Sequence, residues 1–123
     1  MPDLVAITKA AIDLFNDAKN THTYKGLQKY LCDPVVIYRV DDALPIEGSP
    51  DDIVQMLNTG QVKKWPQLIC NNFQRSPESD VVVQGTGDYC DDSTAPTVKI
   101  SVRCSYHFVG SQIDHAFVVP IRR

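Results

Sequence analysis

Thr97-Val98-Lys99-Ile100-Ser101-Val102-Arg103-Cys104-Ser105-Tyr106-His107-Phe108, then Val109, a Gly110-Ser111 reversal and Gln112-Ile113-Asp114-His115-Ala116-Phe117-Val118-Val119-Pro120, is the stretch that decides the fold. Val98, Ile100, Val102, Cys104, Tyr106 and Phe108 point one way and Lys99, Ser101, Arg103, Ser105 and His107 the other, the period of two that marks a strand with two chemically different faces. A glycine-containing reversal followed by a second apolar run makes this a hairpin. Cys104 and Tyr106 belong to the apolar face, His107 to the polar one.

Working outward, the segments before the hairpin also read as strands, Leu68 to Gln74 and Asp80 to Cys90, separated by turn chemistry at Ser76-Pro77 and at Ser93 to Pro96. Short connections favour antiparallel pairing. Helices are predicted earlier. Leu4, Ile7, Ala11, Leu14, Phe15 and Ala18 recur at helical spacing behind Asp3, a candidate N-cap, which predicts a helix from about Leu4 to Lys19. A shorter helix is expected from Thr23 to Asp33-Pro34, and a strand from Val35 to Asp41. Ser49-Pro50-Asp51-Asp52 opens a third helix, with a capping serine, a proline at the first helical position and acidic charge at the positive dipole end. Helices first and a mostly antiparallel sheet afterwards mean α+β.

The chain has 123 residues, 43% of them hydrophobic, and a formal net charge of -3, which suits a single domain over residues 1–123. Lys and Arg pair only at Lys63-Lys64 and Arg122-Arg123, so no nucleic-acid platform is expected. No run approaches the roughly 18 apolar residues that span a bilayer, and Met1-Pro2-Asp3 leads straight into an amphipathic segment, so no membrane partner and a cytoplasmic location are expected. Cys32, Cys70, Cys90 and Cys104 are widely spaced, without Cys-x-x-Cys or histidines at zinc spacing, and read as free thiols. Neither a cofactor nor a metal is expected.

Two helices, a strand, a third helix and a run of antiparallel strands in about 120 residues resemble the nuclear transport factor two-like superfamily, whose members include ketosteroid isomerases and SnoaL-like cyclases. The residues carrying the likeness are Leu44-Pro45-Ile46-Glu47-Gly48 with the capped helix from Ser49 to Leu57, the segment Ser79 to Tyr89, and the pair Ser105-Tyr106-His107-Phe108 and Ile113-Asp114-His115-Ala116-Phe117. The resemblance implies a curved sheet wrapped around the N-terminal helices, a conical cavity inside, and a convex face that commonly makes a homodimer.

It also implies what chemistry is missing. Matched onto the isomerase pattern, the catalytic base falls at Arg39, the oxyanion tyrosine at Phe15 and the second acid at Cys104, so that mechanism is not expected. Matched onto the cyclase pattern, Asp114 and His115 survive while the terminal carboxylate has become Phe117. With Cys104, Tyr106 and Phe108 inward, the match places Asp114 inward and His115 outward. The candidate catalytic set is then Asp114 as acid/base, Arg39 as its counter-charge and Tyr106 as an orienting hydroxyl, with Phe15, Ile37, Val102, Cys104 and Phe108 lining the pocket. Arg39 and Asp114 read more readily as a structural ion pair or two surface charges than as a site, Tyr106 as readily as core, and His107, on the polar face, far more readily as a solvated or dimer-surface residue than as a catalytic one.

Two functions follow from the resemblance. One is a small-molecule pocket of the SnoaL-like type that binds a small hydrophobic ligand, with acid/base chemistry of the isomerase, cyclase or hydratase kind. The other is a non-catalytic interaction or transport module dimerising through its sheet, supported by Val81-Val82-Val83-Gln84 and by the helix Ile53 to Leu57.

Overall fold

The computed structural model of the chain describes residues 3–38, 45–59, 66–70, 72–91 and 98–121. Arg39, the Asp41-Asp42 pair, both basic pairs and the turn at Ser93 to Pro96 lie outside them. Helix α1 spans Leu4–Thr21; Asp3 caps it by accepting from the Ala6 amide at 3.1 Å, and His22 closes it in the left-handed region with φ 60°. Helix α2, Pro50–Asn58, starts as its sequence demands: the Ser49 hydroxyl accepts from the Asp52 amide at 3.2 Å, with Pro50 at the first position.

Between them the expected second helix shrinks to a single 3-10 turn, Leu27–Tyr30, preceded by Gly26 at φ 102°. Leu27, Tyr30 and Leu31 satisfy that one turn without needing a longer helix. Strand β1 then begins at Leu31 and runs to Tyr38, earlier than Val35, and it tolerates Pro34 because its register with its neighbour slips between Leu31 and Val36.

The remaining strands are β2 (Ile46–Gly48), β3 (Gln67–Ile69), β4 (Gln74–Ser76), β5 (Ser79–Asp91), β6 (Val98–Val109) and β7 (Gln112–Pro120). The expected single strand from Leu68 to Gln74 is thus two short ones, both pairing β5. They form one sheet in the order β2-β1-β7-β6-β5-β3, antiparallel throughout except for the parallel pair β1–β7. No helix among the described residues is long and apolar enough to cross a membrane.

The alternation of β6 is realised: Val102, Cys104, Tyr106 and Phe108 are buried on the inner face, and Arg103 is exposed outside. Against that face pack Leu4, Ala11 and Ala18 of α1 and Ile53 and Val54 of α2. Thr8, also fully buried, is satisfied by donating its hydroxyl to the Leu4 carbonyl at 2.8 Å.

The free edge of β3 is held by a side chain. The Asn16 amide donates to the Leu68 carbonyl at 2.8 Å, and its oxygen accepts from the Leu68 amide at 2.7 Å, so α1 supplies the pairing that a further strand would. Asn16→Leu removes both bonds and strands a partly buried backbone pair; a loss of about 2–3 kcal/mol is expected. Urea unfolding with an unchanged slope reads it.

Candidate ligand-binding site

The inner face lines a partly open cavity of about 140 Å³. Its walls follow from periodicity. Ile12 and Phe15 come from adjacent positions on α1, Leu57 from α2, Ile37 from β1, Tyr89 from β5, Tyr106 from β6, and Ile113, Ala116 and Val118 from β7. Ala11 and Ala116 face it among larger neighbours, and their missing side-chain volume helps leave the space. None of the described lining residues is charged.

Tyr106 is the polar exception that matters. It is 4% exposed, its ring meets Phe73 edge-on at 6.0 Å, and its hydroxyl is buried with no oxygen or nitrogen partner among the described residues and only the Cys104 sulfur as a weak hydrogen-bonding neighbour. Burial first, then the charge of Cys104 and the hydrogen bond to it, then the charge of Cys70, push its ionisation well above 10, so the hydroxyl keeps its proton and remains a donor. Such a group costs on the order of 1–3 kcal/mol until something accepts from it.

Of the residues expected to line the pocket, Phe15 and Ile37 do so, whereas Val102, Cys104 and Phe108 are core residues on the same inner face that do not reach the cavity. Burial pushes the Cys104 thiol up to about 12, which makes it neutral and unreactive. Phe15 stands where the isomerase pattern has a tyrosine, and its ring packs on Tyr24 at 5.4 Å. Leu57, Tyr89 and Ala116 were not singled out from sequence; Ala116 carried a signal, as a small residue at an inward position of an otherwise bulky strand.

Asp114 is a correction. The β6–β7 register slips by one residue: His107 pairs with His115 and Tyr106 with Ala116, but Phe108 pairs with Ile113. That bulge gives Asp114 no partner on β6, and both Asp114 and His115 turn to the outer face while Ile113 and Ala116 take the inward positions. Asp114 and Tyr106 therefore sit on opposite faces of the sheet. With Arg39 outside the described residues, the expected catalytic trio is not assembled in the cavity.

On the outer face the carboxylate lies between two imidazoles, with His107 Nδ1 at 2.5 Å from one oxygen and His115 Nδ1 at 3.2 Å from the other. Burial raises its ionisation, but the hydrogen bonds and charge of His107, then those of His115, outweigh this and hold it below the usual carboxylate value. A stack supports the arrangement: His115 lies parallel to Phe117 at 6.2 Å, and Phe117 to Tyr38 at 4.6 Å.

No family model and no curated protein matches the sequence. Solved structures match throughout its length. A Mycobacterium tuberculosis epoxide hydrolase of the LEH-like kind aligns over 96% of this chain and 82% of its own, at TM-score 0.72 and 13% identity. An uncharacterised cystatin-fold protein from Novosphingobium aromaticivorans covers 99% and 100%, at 0.71 and 14%. A putative polyketide cyclase from Xanthomonas campestris covers 97% and 93%, at 0.68 and 11%. A curled sheet closed by an N-terminal helix, matched end to end by these proteins, gives the chain the nuclear transport factor two-like cone fold.

Proposed function

We propose that the protein binds a small, largely apolar molecule bearing one hydrogen-bond-accepting oxygen, held in the cone with that oxygen on the Tyr106 hydroxyl. The observation that carries this reading is a mostly apolar cavity lined in part by Tyr106, whose hydroxyl is buried behind that wall without an oxygen or nitrogen partner among the described residues. A cavity of about 140 Å³ suits a single ring, since engineered cavities of roughly 150 Å³ take up benzene. The names of two structural neighbours, an epoxide hydrolase and a putative polyketide cyclase, are consistent with an oxygenated apolar ligand. Without a carboxylate or imidazole among the described lining residues, the cavity is read as a binding pocket in which Tyr106 orients the ligand, not as an acid/base centre.

Calorimetric titration with cyclohexanone, cyclohexene oxide and toluene tests this. Tyr106→Phe is expected to bind the two oxygenated ligands about five- to tenfold more weakly, to bind toluene unchanged, and to unfold about 1 kcal/mol harder when free, because its desolvated hydroxyl is gone. Equal losses for all three ligands, or none, would remove the role of the hydroxyl. Failure of every ligand to bind the native protein would remove the pocket reading.

A further inference from the structure

We propose that the outer face of the sheet carries a site for a divalent transition metal of the zinc class, with His107 Nδ1, His115 Nδ1 and one Asp114 oxygen as ligands and the remaining position open to water. The three donor atoms lie within 4.8 Å of one another on two adjacent strands. Imidazole nitrogen and carboxylate oxygen are donors that such ions accept, and three protein ligands with an open position is a recurring zinc geometry.

The placement is the consequence of two backbone facts. His107 and His115 are directly paired across the β6–β7 hairpin, so their side chains share a face. The one-residue bulge then rotates Asp114 onto that face between them, where a regular strand would have pointed it into the core. Sequence spacing does not reveal this, because the ligands are brought together by strand pairing.

Distances are close to those an ion needs. Tetrahedral ligands at about 2.0–2.1 Å from a metal stand about 3.3 Å apart. The separation of His115 Nδ1 from Asp114 Oδ2, 3.2 Å, already fits; His107 Nδ1 meets the other oxygen, Oδ1, at 2.5 Å, a short hydrogen bond that opens by about 0.8 Å when an ion replaces the shared proton, with the carboxylate turning to present one oxygen to both imidazoles. The side chains of His107 and His115 are 41% and 42% exposed, which leaves solvent a path to them. The stack of His115 on Phe117 and of Phe117 on Tyr38 limits the ring's rotation, as supported metal ligands require.

Zinc titration of the reduced protein, monitored by calorimetry and repeated with Co²⁺ for its visible spectrum, decides the matter. The native chain is expected to bind one Zn²⁺ per chain at this site, with Co²⁺ giving the bands of a nitrogen- and oxygen-ligated ion and Mg²⁺ giving no heat. His107→Gln and His115→Gln should each weaken that ion at least tenfold, Asp114→Asn should do likewise, and His22→Gln, at the far end of α1, should leave it unchanged. Circular dichroism of each variant confirms that it is folded. Absence of zinc binding, binding that survives His107→Gln and His115→Gln because thiols hold the ion, or half an ion per chain shared between two copies would each overturn the proposal.

Discussion

Replacing Gly87 by alanine is expected to cost at least about 3 kcal/mol and to detach the β3 edge of the sheet. A Cβ at Gly87 would lie 2.2 Å from the Ile69 carbonyl oxygen and 3.0 Å from the Cys70 Cα. Both are backbone atoms, so no rotamer change relieves the contact, and β3 itself must move. β3 is only three residues long and is held by its pairing to β5, by the Asn16 clamp and by the buried Leu68, all of which are lost together if it moves. Hydrogen exchange should then show lost protection at Gln67–Ile69 while the β6–β7 hairpin keeps its own. Gly110 is the control. It has open space around its missing Cβ, and alanine there meets only the cost of φ 63° in the hairpin turn.

Phe108→Ala should be comparably severe, at about 3–5 kcal/mol, the range for truncating a buried aromatic that leaves a cavity. Phe108 is 2% exposed and sits where β6 meets the bulge, so both its own contacts and the local register depend on it. Its neighbour Val109 is 58% exposed, and Val109→Ala should stay within about 0.5 kcal/mol. Chemical denaturation of the pair measures the sorting of β6 into faces at adjacent positions. Equal costs for the two would contradict that sorting.

Much of this molecule was legible in the order and period of its residues. The strict alternation from Val98 to Phe108 identified β6 and its buried face, and Ser49-Pro50-Asp51-Asp52 located the start of α2, because period and capping are local properties. What escaped was non-local. The Asp114 bulge is a relation between two strands, visible only once His107 is opposite His115 and Phe108 opposite Ile113, and it reverses the face of one residue without any mark in the run Gln112 to Pro120. The parallel pairing of β1 with β7 joins segments some eighty residues apart and likewise has no local signature. The 3-10 turn at Leu27–Tyr30 was overread as a helix because three apolar residues at that spacing fit either form.

The site was half legible for the same reason. Phe15, Ile37 and Tyr106 followed from helical and strand faces, but whether an inward residue lines a void or fills the core depends on the volumes opposite it. Val102 and Phe108 are buried without reaching the cavity; Tyr106 shares its surroundings with Ala116, its partner across the hairpin, and with the space that alanine leaves.

The most direct test of the pocket is to see where a ligand goes. With isoleucine methyl groups labelled and cyclohexanone titrated in, the account predicts saturable NMR shifts at Ile12, Ile37, Ile46 and Ile113, which line the cavity, and none at the exposed Ile69. Shifts absent from those four methyls at saturating ketone, or appearing first at Ile69, would contradict it.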